Sequence, residues 1–144
     1  MNDYRYVLVP VITLMLCQLI KFIIESVNQK KLDFKRLFSG SGGMPSSHTA
    51  LTTSLLTIIG LSNGVNNPMF GIALVMFFIV AYDGMNVRLE TGKQAKTINA
   101  LVESIFVDEK YAKLKEQLGH KPKEVFMGII LGILTASCYY MMFI

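Results

Sequence analysis

The chain has little cysteine, little charge and none of the short motifs that mark common soluble enzymes. Its 144 residues include two cysteines, Cys17 and Cys138. Both lie in apolar runs and neither has metal-ligand spacing, which argues against a disulfide framework. Charged residues make up only 17% of the chain, too few for an ordinary soluble domain of this size. No P-loop, no dinucleotide-binding glycine fingerprint, no HExxH and no GxSxG is present. No basic patch interleaved with aromatics argues for nucleic acid as a partner. The net charge of +4 is more simply read as topology and attraction to lipid headgroups. Histidine is scarce too, with only His48 and His120.

What the chain has in abundance is apolar sequence. It is 52% hydrophobic, with a mean hydropathy of +0.46. The pattern predicts an all-α, integral-membrane bundle in a single domain, 1–144, of about four transmembrane helices. These fall at approximately 6–25, 47–65, 68–84 and 124–143, close to the roughly 20 residues that cross a bilayer. The first run resembles a signal peptide in position. It reads instead as a retained helix, because it is long and lacks a small-residue cleavage site before Lys21. Ser62 to Pro68 is rich in turn formers and makes the second and third segments a helical hairpin.

Charge assigns a side. Twelve of the fourteen basic residues fall in two loops, after the first segment and between the third and fourth. The turn at residues 62–67 carries none. The positive-inside rule makes the two basic loops cytoplasmic. The expected setting is the plasma membrane of a bacterium, with the active face cytoplasmic. The cytoplasmic region, 86–123, is expected to hold interfacial amphipathic helices. Ala95, Ile98, Leu101, Val102, Ile105 and Phe106 recur at helical spacing, with Asn99 among the residues on other faces. A second short helix is expected over 109–118, capped by Gly119. Pro122 suits the start of the last span.

Chemistry-bearing residues gather at one end of this topology. Gly40 to His48 is a glycine-rich loop leading into a helix, with Ser46 as its N-cap. A helix start exposes backbone N–H groups and favours an anion. It also reads, more plainly, as a loop and a cap. His48 opens one arm of the hairpin and Asp83 closes the other, so both return to the same face. Asp83 could act as a base, orient a histidine or pair with Arg88. Arg88 and Lys93, with Gln94 beside them, could hold phosphoryl oxygens, or simply belong to the positive cytoplasmic face. His120 is a second catalytic candidate or a solvated loop histidine. Lys21 could contact a headgroup phosphate or snorkel to the interface. Gly128 and Gly132 form a GxxxG pair that suits close helix packing and leaves a homodimer open.

Gly43-Met44-Pro45-Ser46-Ser47-His48-Thr49-Ala50 resembles the Pro-Ser-Gly-His motif of the type 2 phosphatidic acid phosphatase superfamily. Tyr82-Asp83-Gly84, Val87-Arg88, Gly92-Lys93-Gln94-Ala95, Asn99 and Leu118-Gly119-His120-Lys121-Pro122 extend the likeness. Together they resemble the small divergent branch of that superfamily, the acid phosphatase/vanadium-dependent haloperoxidase-related membrane proteins. The resemblance implies an all-helical fold and hydrolysis of phosphate esters. It makes His48 the acid that protonates the leaving group, Ser46 and Ser47 part of the phosphate loop, and Arg88 the phosphate-holding arginine. This chain departs from the superfamily pattern at several positions. Ser47 replaces a glycine and Val87 a serine. The position of the usual nucleophilic histidine is Gln94, and that of its supporting aspartate is Ile98. The Lys-plus-Arg-Pro motif is missing, with Lys21 and Arg36 only loose substitutes.

The nucleophile is therefore open among three readings: His120, then Asp83 as nucleophile or base, then a site that binds a lipid phosphate without cleaving it. The expected function is a membrane phosphatase acting on a lipid phosphate or pyrophosphate. The rival is a lipid-phosphate binder or transporter. No cofactor is required by the sequence. Asp83, Glu90 and the two histidines could hold a divalent metal, but no spacing motif demands one.

Overall fold

The computed structural model describes residues 4–29, 43–105, 112–116 and 118–143. Gly40 to Gly42 of the glycine-rich stretch lie outside them, as do Lys30, Lys31, Lys35, Arg36, Phe106 and Lys110. Among the described residues, every regular element is helical: α1 (Arg5–Gln29), α2 (Ser47–Asn63), α3 (Pro68–Tyr82), α4 (Arg88–Ile105) and α5 (Pro122–Phe143). A π-helical turn, Asp83–Val87, joins α3 to α4.

Three helical stretches are long and apolar enough to cross a membrane: Arg5–Asn28, Pro68–Ile105 and Pro122–Phe143. α2, expected as a further span, has 17 residues. At 1.5 Å per residue that is roughly 26 Å, a little under the ~30 Å hydrocarbon thickness. Its place in the bundle explains its composition, because α1, α3 and α5 all pack on it. Ser47, Thr49, Ala50, Thr52, Thr53 and Ser54 are buried along it, and small side chains let neighbouring backbones come close. Several hydroxyls are satisfied by its own backbone: Thr52 donates to the His48 carbonyl (3.0 Å), Ser54 to Leu51 (2.9 Å) and Thr57 to Thr53 (2.8 Å).

The side-chain contacts give the helix directions. Gly128 of α5 lies against Ser46, Thr49 and Ala50, and Gly132 lies against Ala50, Thr53 and Ser54, so α5 runs parallel to α2. A Cβ on Gly128 would sit 2.7 Å from the Ser46 carbonyl oxygen, and one on Gly132 2.7 Å from that of Ala50. The expected close packing of this glycine pair is therefore made within the chain, and the glycines' faces are occupied by α2. α1 runs antiparallel to α2, with Cys17 near Ser47 and the Tyr6 hydroxyl bonded to Asn63. Thr13 and Thr135 link α1 to α5 at 2.7 Å. Val9, Ile58 and Ala136 form a small buried core, packed against Tyr6, Tyr139 and Tyr140. The C-terminal ends of α1 and α3 and the N-terminal ends of α2 and α5 thus meet at one end of the bundle.

The hairpin of α2 and α3 is as expected. Gly64 ends α2 at φ +79°, and the Asn67 side chain caps α3 by accepting from the Met69 N–H at 2.8 Å. The helix of the third segment continues past Asp83, through the π turn into α4 as one stretch, Pro68–Ile105; no proline interrupts it. One expectation is corrected. The short helix expected over 109–118 is not formed at residues 112–116 or 118, and its remaining residues lie outside the described ones. Residues 112–116 and 118 run back along α4 instead.

Candidate active site

Ser46, His48, Ile79, Val80, Asp83, Gly84, Arg88 and His120 line one cavity of about 140 Å³. That is several times the roughly 30 Å³ share of a water in the liquid. Four separate parts of the chain contribute: the start of α2, the end of α3 with the π turn, the start of α4, and the connection that precedes α5. The expected convergence of both histidines with Asp83 and Arg88 is present.

The π turn arranges the acidic side of the cavity. Residues five apart on an α-helix point roughly 140° away from each other at 3.6 residues per turn. In the π turn the Arg88 N–H bonds back five residues to the Asp83 carbonyl. That wider winding brings the two side chains onto one face. Arg88 Nε lies 2.5 Å from Asp83 Oδ2, with the pair about half exposed. Gly84 is buried in the turn, and its carbonyl accepts the His120 N–H at 2.9 Å.

His120 is placed by a backbone that lies directly on α4. Gly119 has φ +81°, and a Cβ there would come within 2.6 Å of the Leu89 nitrogen. Glycine is thus required at this position for conformation and for space. It was expected as a helix C-cap; it is a point of close backbone crossing. Further along, a Cβ on Gly92 would meet the Glu116 carbonyl oxygen at 2.5 Å. Asn99 is buried and grips the same segment: its Nδ2 donates to the Leu114 carbonyl (2.9 Å) and to Glu116 Oε1 (2.8 Å), and its Oδ1 accepts from the Leu114 N–H (2.9 Å). On the other side, the Lys121 N–H donates to Glu124 Oε2 at 3.0 Å, half of a capping box that starts α5 at Pro122.

His120 is 6% exposed, and its Nε2 is buried with no hydrogen-bond partner. Burial, and then the positive charge of Lys21, hold its pKa below the ordinary histidine value; Glu124 pulls the other way, and His48 and Arg88 add to the lowering. The imidazole is therefore neutral at pH 7. His48, at the first turn of α2, is exposed.

The helix start behaves only partly as expected. Ser46 is the N-cap residue of α2, but its side chain caps nothing. Its Oγ is engaged with Thr49 Oγ1 at 2.9 Å, and its N–H donates to the Glu124 carbonyl at 2.9 Å. That amide is committed to holding α5 and is removed from any phosphate cradle. The N–H groups of Ser47, His48 and Thr49, in the first turn, have no acceptor within the helix. Ser47 is buried and its Oγ accepts from Cys17 Sγ at 3.4 Å, facing α1. Lys21 is half-buried and close enough for its charge to reach His120. Lys93 and Gln94 are exposed on α4 and are not among the cavity-lining residues; Lys93 pairs with Glu90 at 2.6 Å. Among the described residues no three His, Cys, Asp or Glu side chains group as metal ligands. The quartet of Asp83, Glu90, His48 and His120 does not form one.

Sequence reasoning did not single out Ile79 and Val80 as cavity walls, or Gly92 and Asn99 as supports. Spacing carried a signal for the last two. Gly92, Ala95 and Asn99 recur at helical intervals and form the buried stripe of α4. Ile98, Leu101 and Ile105, expected on the apolar face of an interfacial helix, are 46%, 55% and 67% exposed.

The model of the Divergent PAP2 family matches residues 3–135. A relative in Bacillus subtilis (strain 168), "Uncharacterized membrane protein YuiD", is 40% identical over 130 residues, covering 81% of this chain and 82% of the relative. No solved structure matches the chain.

Proposed function

From the premise that this chain belongs to the Divergent PAP2 family, we propose that it is a membrane phosphatase. Its substrate is a lipid phosphate or pyrophosphate at the cytoplasmic leaflet of a bacterial plasma membrane. The observation that carries this reading is the shared cavity of His48, Asp83, Arg88 and His120, in which His120 is buried, neutral and unpartnered at Nε2.

The roles follow from that arrangement. His120 Nε2 attacks phosphorus, forming a P–N bond as the bond from phosphorus to the leaving oxygen breaks. Protonated His48 gives its proton to that oxygen. Neutral His48 then takes a proton from water, whose oxygen attacks phosphorus. The P–N bond breaks, and inorganic phosphate leaves with His120 restored. Arg88, oriented by Asp83, and the first-turn N–H groups of α2 offset the charge on the phosphoryl oxygens, with Lys21 adding to the field. Asp83 is the weaker nucleophile candidate, because its carboxylate is engaged by Arg88 at 2.5 Å.

The test is phosphate release by the detergent-purified protein from a panel of lipid phosphates and pyrophosphates, with His120→Ala and His48→Ala beside it. Release abolished by either change supports the proposal. Binding to the panel without release would leave the non-catalytic, lipid-phosphate-binding alternative, and no release from any member would overturn the phosphatase.

A further inference from the structure

We propose that Asn99 is a positioning residue for His120, acting through the segments 112–116 and 118–121 held against α4. The proposal rests on the catalytic role given to His120 above, but its geometry is independent of that role.

Asn99 is buried, on a face of α4 with Gly92 and Ala95. Its amide satisfies both backbone groups of Leu114, donating to the carbonyl and accepting from the N–H, each at 2.9 Å. An ionised carboxylate of the same size cannot do both, since it only accepts. The third bond, to Glu116 Oε1 at 2.8 Å, extends the grip by two residues. The chain then crosses Gly92 at a distance that leaves no room for a Cβ, crosses Leu89 at Gly119, and delivers His120 to the Gly84 carbonyl.

Residues 112–116 and 118–121 form no helix or strand of their own. Its described residues make one backbone bond among themselves, Leu118 N–H to the Glu116 carbonyl at 3.0 Å, so the segment holds its shape mainly through bonds to its surroundings. Asn99 supplies such bonds at the end of the segment away from the cavity, and Gly84 supplies one at the end beside it. Freeing the Leu114 end shifts the segment's equilibrium toward local opening. The imidazole at its other end then loses both its burial and its fixed distance to His48 and Arg88.

The experiment compares wild type with Asn99→Ala, Asn99→Asp and Gly92→Ala in detergent, by diethyl pyrocarbonate modification resolved for each histidine by peptide mass. The chain's two histidines report on different places: His48 is exposed and His120 buried. We expect the modification rate of His120 to rise by roughly tenfold or more in each variant, since Asn99→Ala loses three bonds, Asn99→Asp two, and a Cβ on Gly92 displaces the Glu116 carbonyl. His48 should react as in wild type. In the phosphate-release assay, kcat falls by about a hundredfold, as small displacements of a reacting group do, while KM holds. If Asn99→Ala does not fold, the isosteric Asn99→Asp carries the test, since it keeps the acceptor and loses both donated bonds. An unchanged His120 rate in a folded variant overturns the proposal, and so does a rise shared equally by both histidines. A rise at His120 in a protein that releases no phosphate supports the structural link and counts against the phosphatase reading alone.

Discussion

The His120 N–H reaches the Gly84 carbonyl at 2.9 Å, joining the connection before α5 to the π turn that follows α3. This bond sets a histidine from the polar connection beside an ion pair from a membrane helix. The π turn takes part twice: it aligns Asp83 with Arg88, and it holds His120. Single π turns inside α-helices are frequently functional sites, and this one sits at the cavity.

The proposed mechanism gives the two histidines different roles, and leaving-group chemistry separates them. With a lipid alkyl phosphate, His48→Asn should lower kcat by about 10²–10⁴, the usual worth of a general acid. With an aryl phosphate, whose leaving oxygen needs no proton, that loss should shrink sharply. His120→Asn should remain inactive on both. Equal recovery of both variants on the aryl ester would refute the assignment.

Arg88→Lys keeps the charge and removes the planar fork that meets Asp83 and, in the proposed mechanism, a phosphoryl group. A loss of roughly a hundredfold in kcat is expected, comparable to removing one fixed donor from a charge-stabilising site. Asp83→Asn should cost less, since it leaves the guanidinium in place. Turnover for Arg88→Lys close to wild type would show that Arg88 does not touch the phosphoryl group.

The pH dependence has a definite sign. Burial first, and then Lys21, lower the His120 pKa in the folded protein. In the unfolded chain the imidazole takes up its proton near the ordinary value of about 6.5. Between these two values the unfolded state binds more protons, so stability is full above about 6.5 and declines as pH falls toward the folded-state value. Melting temperature in detergent, followed from neutral to mildly acid pH, should fall more steeply for wild type than for His120→Gln. Parallel curves would contradict a buried neutral His120. By the same sign, turnover that uses neutral His120 should persist as pH drops through about 6.5 and fail only below.

Gly132→Ala tests the packing of α5 on α2. The added Cβ would lie 2.7 Å from the Ala50 carbonyl oxygen and 2.8 Å from Thr53 Cβ, so the helices must separate. Overpacking of this kind costs about 1–3 kcal/mol. Thermal unfolding in detergent should show a clear loss of stability. Gly71→Ala, at a glycine with open space around it, is the control that should not.

The membrane class, the helical hairpin and the meeting of His48 with Asp83 were legible from hydropathy, turn residues and helix length. Those properties depend on local composition and on counting residues along a helix. The phosphate-binding promise of Gly40 to His48 was legible only in part. Sequence marks a helix start, but it does not say that the Ser46 N–H is taken by Glu124 or that Ser47 faces Cys17. Both are contacts between distant parts of the chain.

The connection between α4 and α5 shows where local reasoning stopped. Ile98, Leu101 and Ile105 recur at helical spacing as plainly as Gly92, Ala95 and Asn99, and periodicity alone favours the larger apolar residues. The chain instead lays a non-helical segment over the smaller stripe, because Gly92 permits backbone contact and Asn99 can satisfy a peptide unit on both sides. By itself the sequence determined a helical membrane protein with its histidines, Asp83 and Arg88 destined for one end. Only the tertiary structure decided that His120 is buried at the cavity, that Arg88 shares a face with Asp83, and that Lys93 and Gln94 stand outside. Those outcomes depend on one non-local crossing and one change of helical winding, and neither leaves a periodic trace in the sequence.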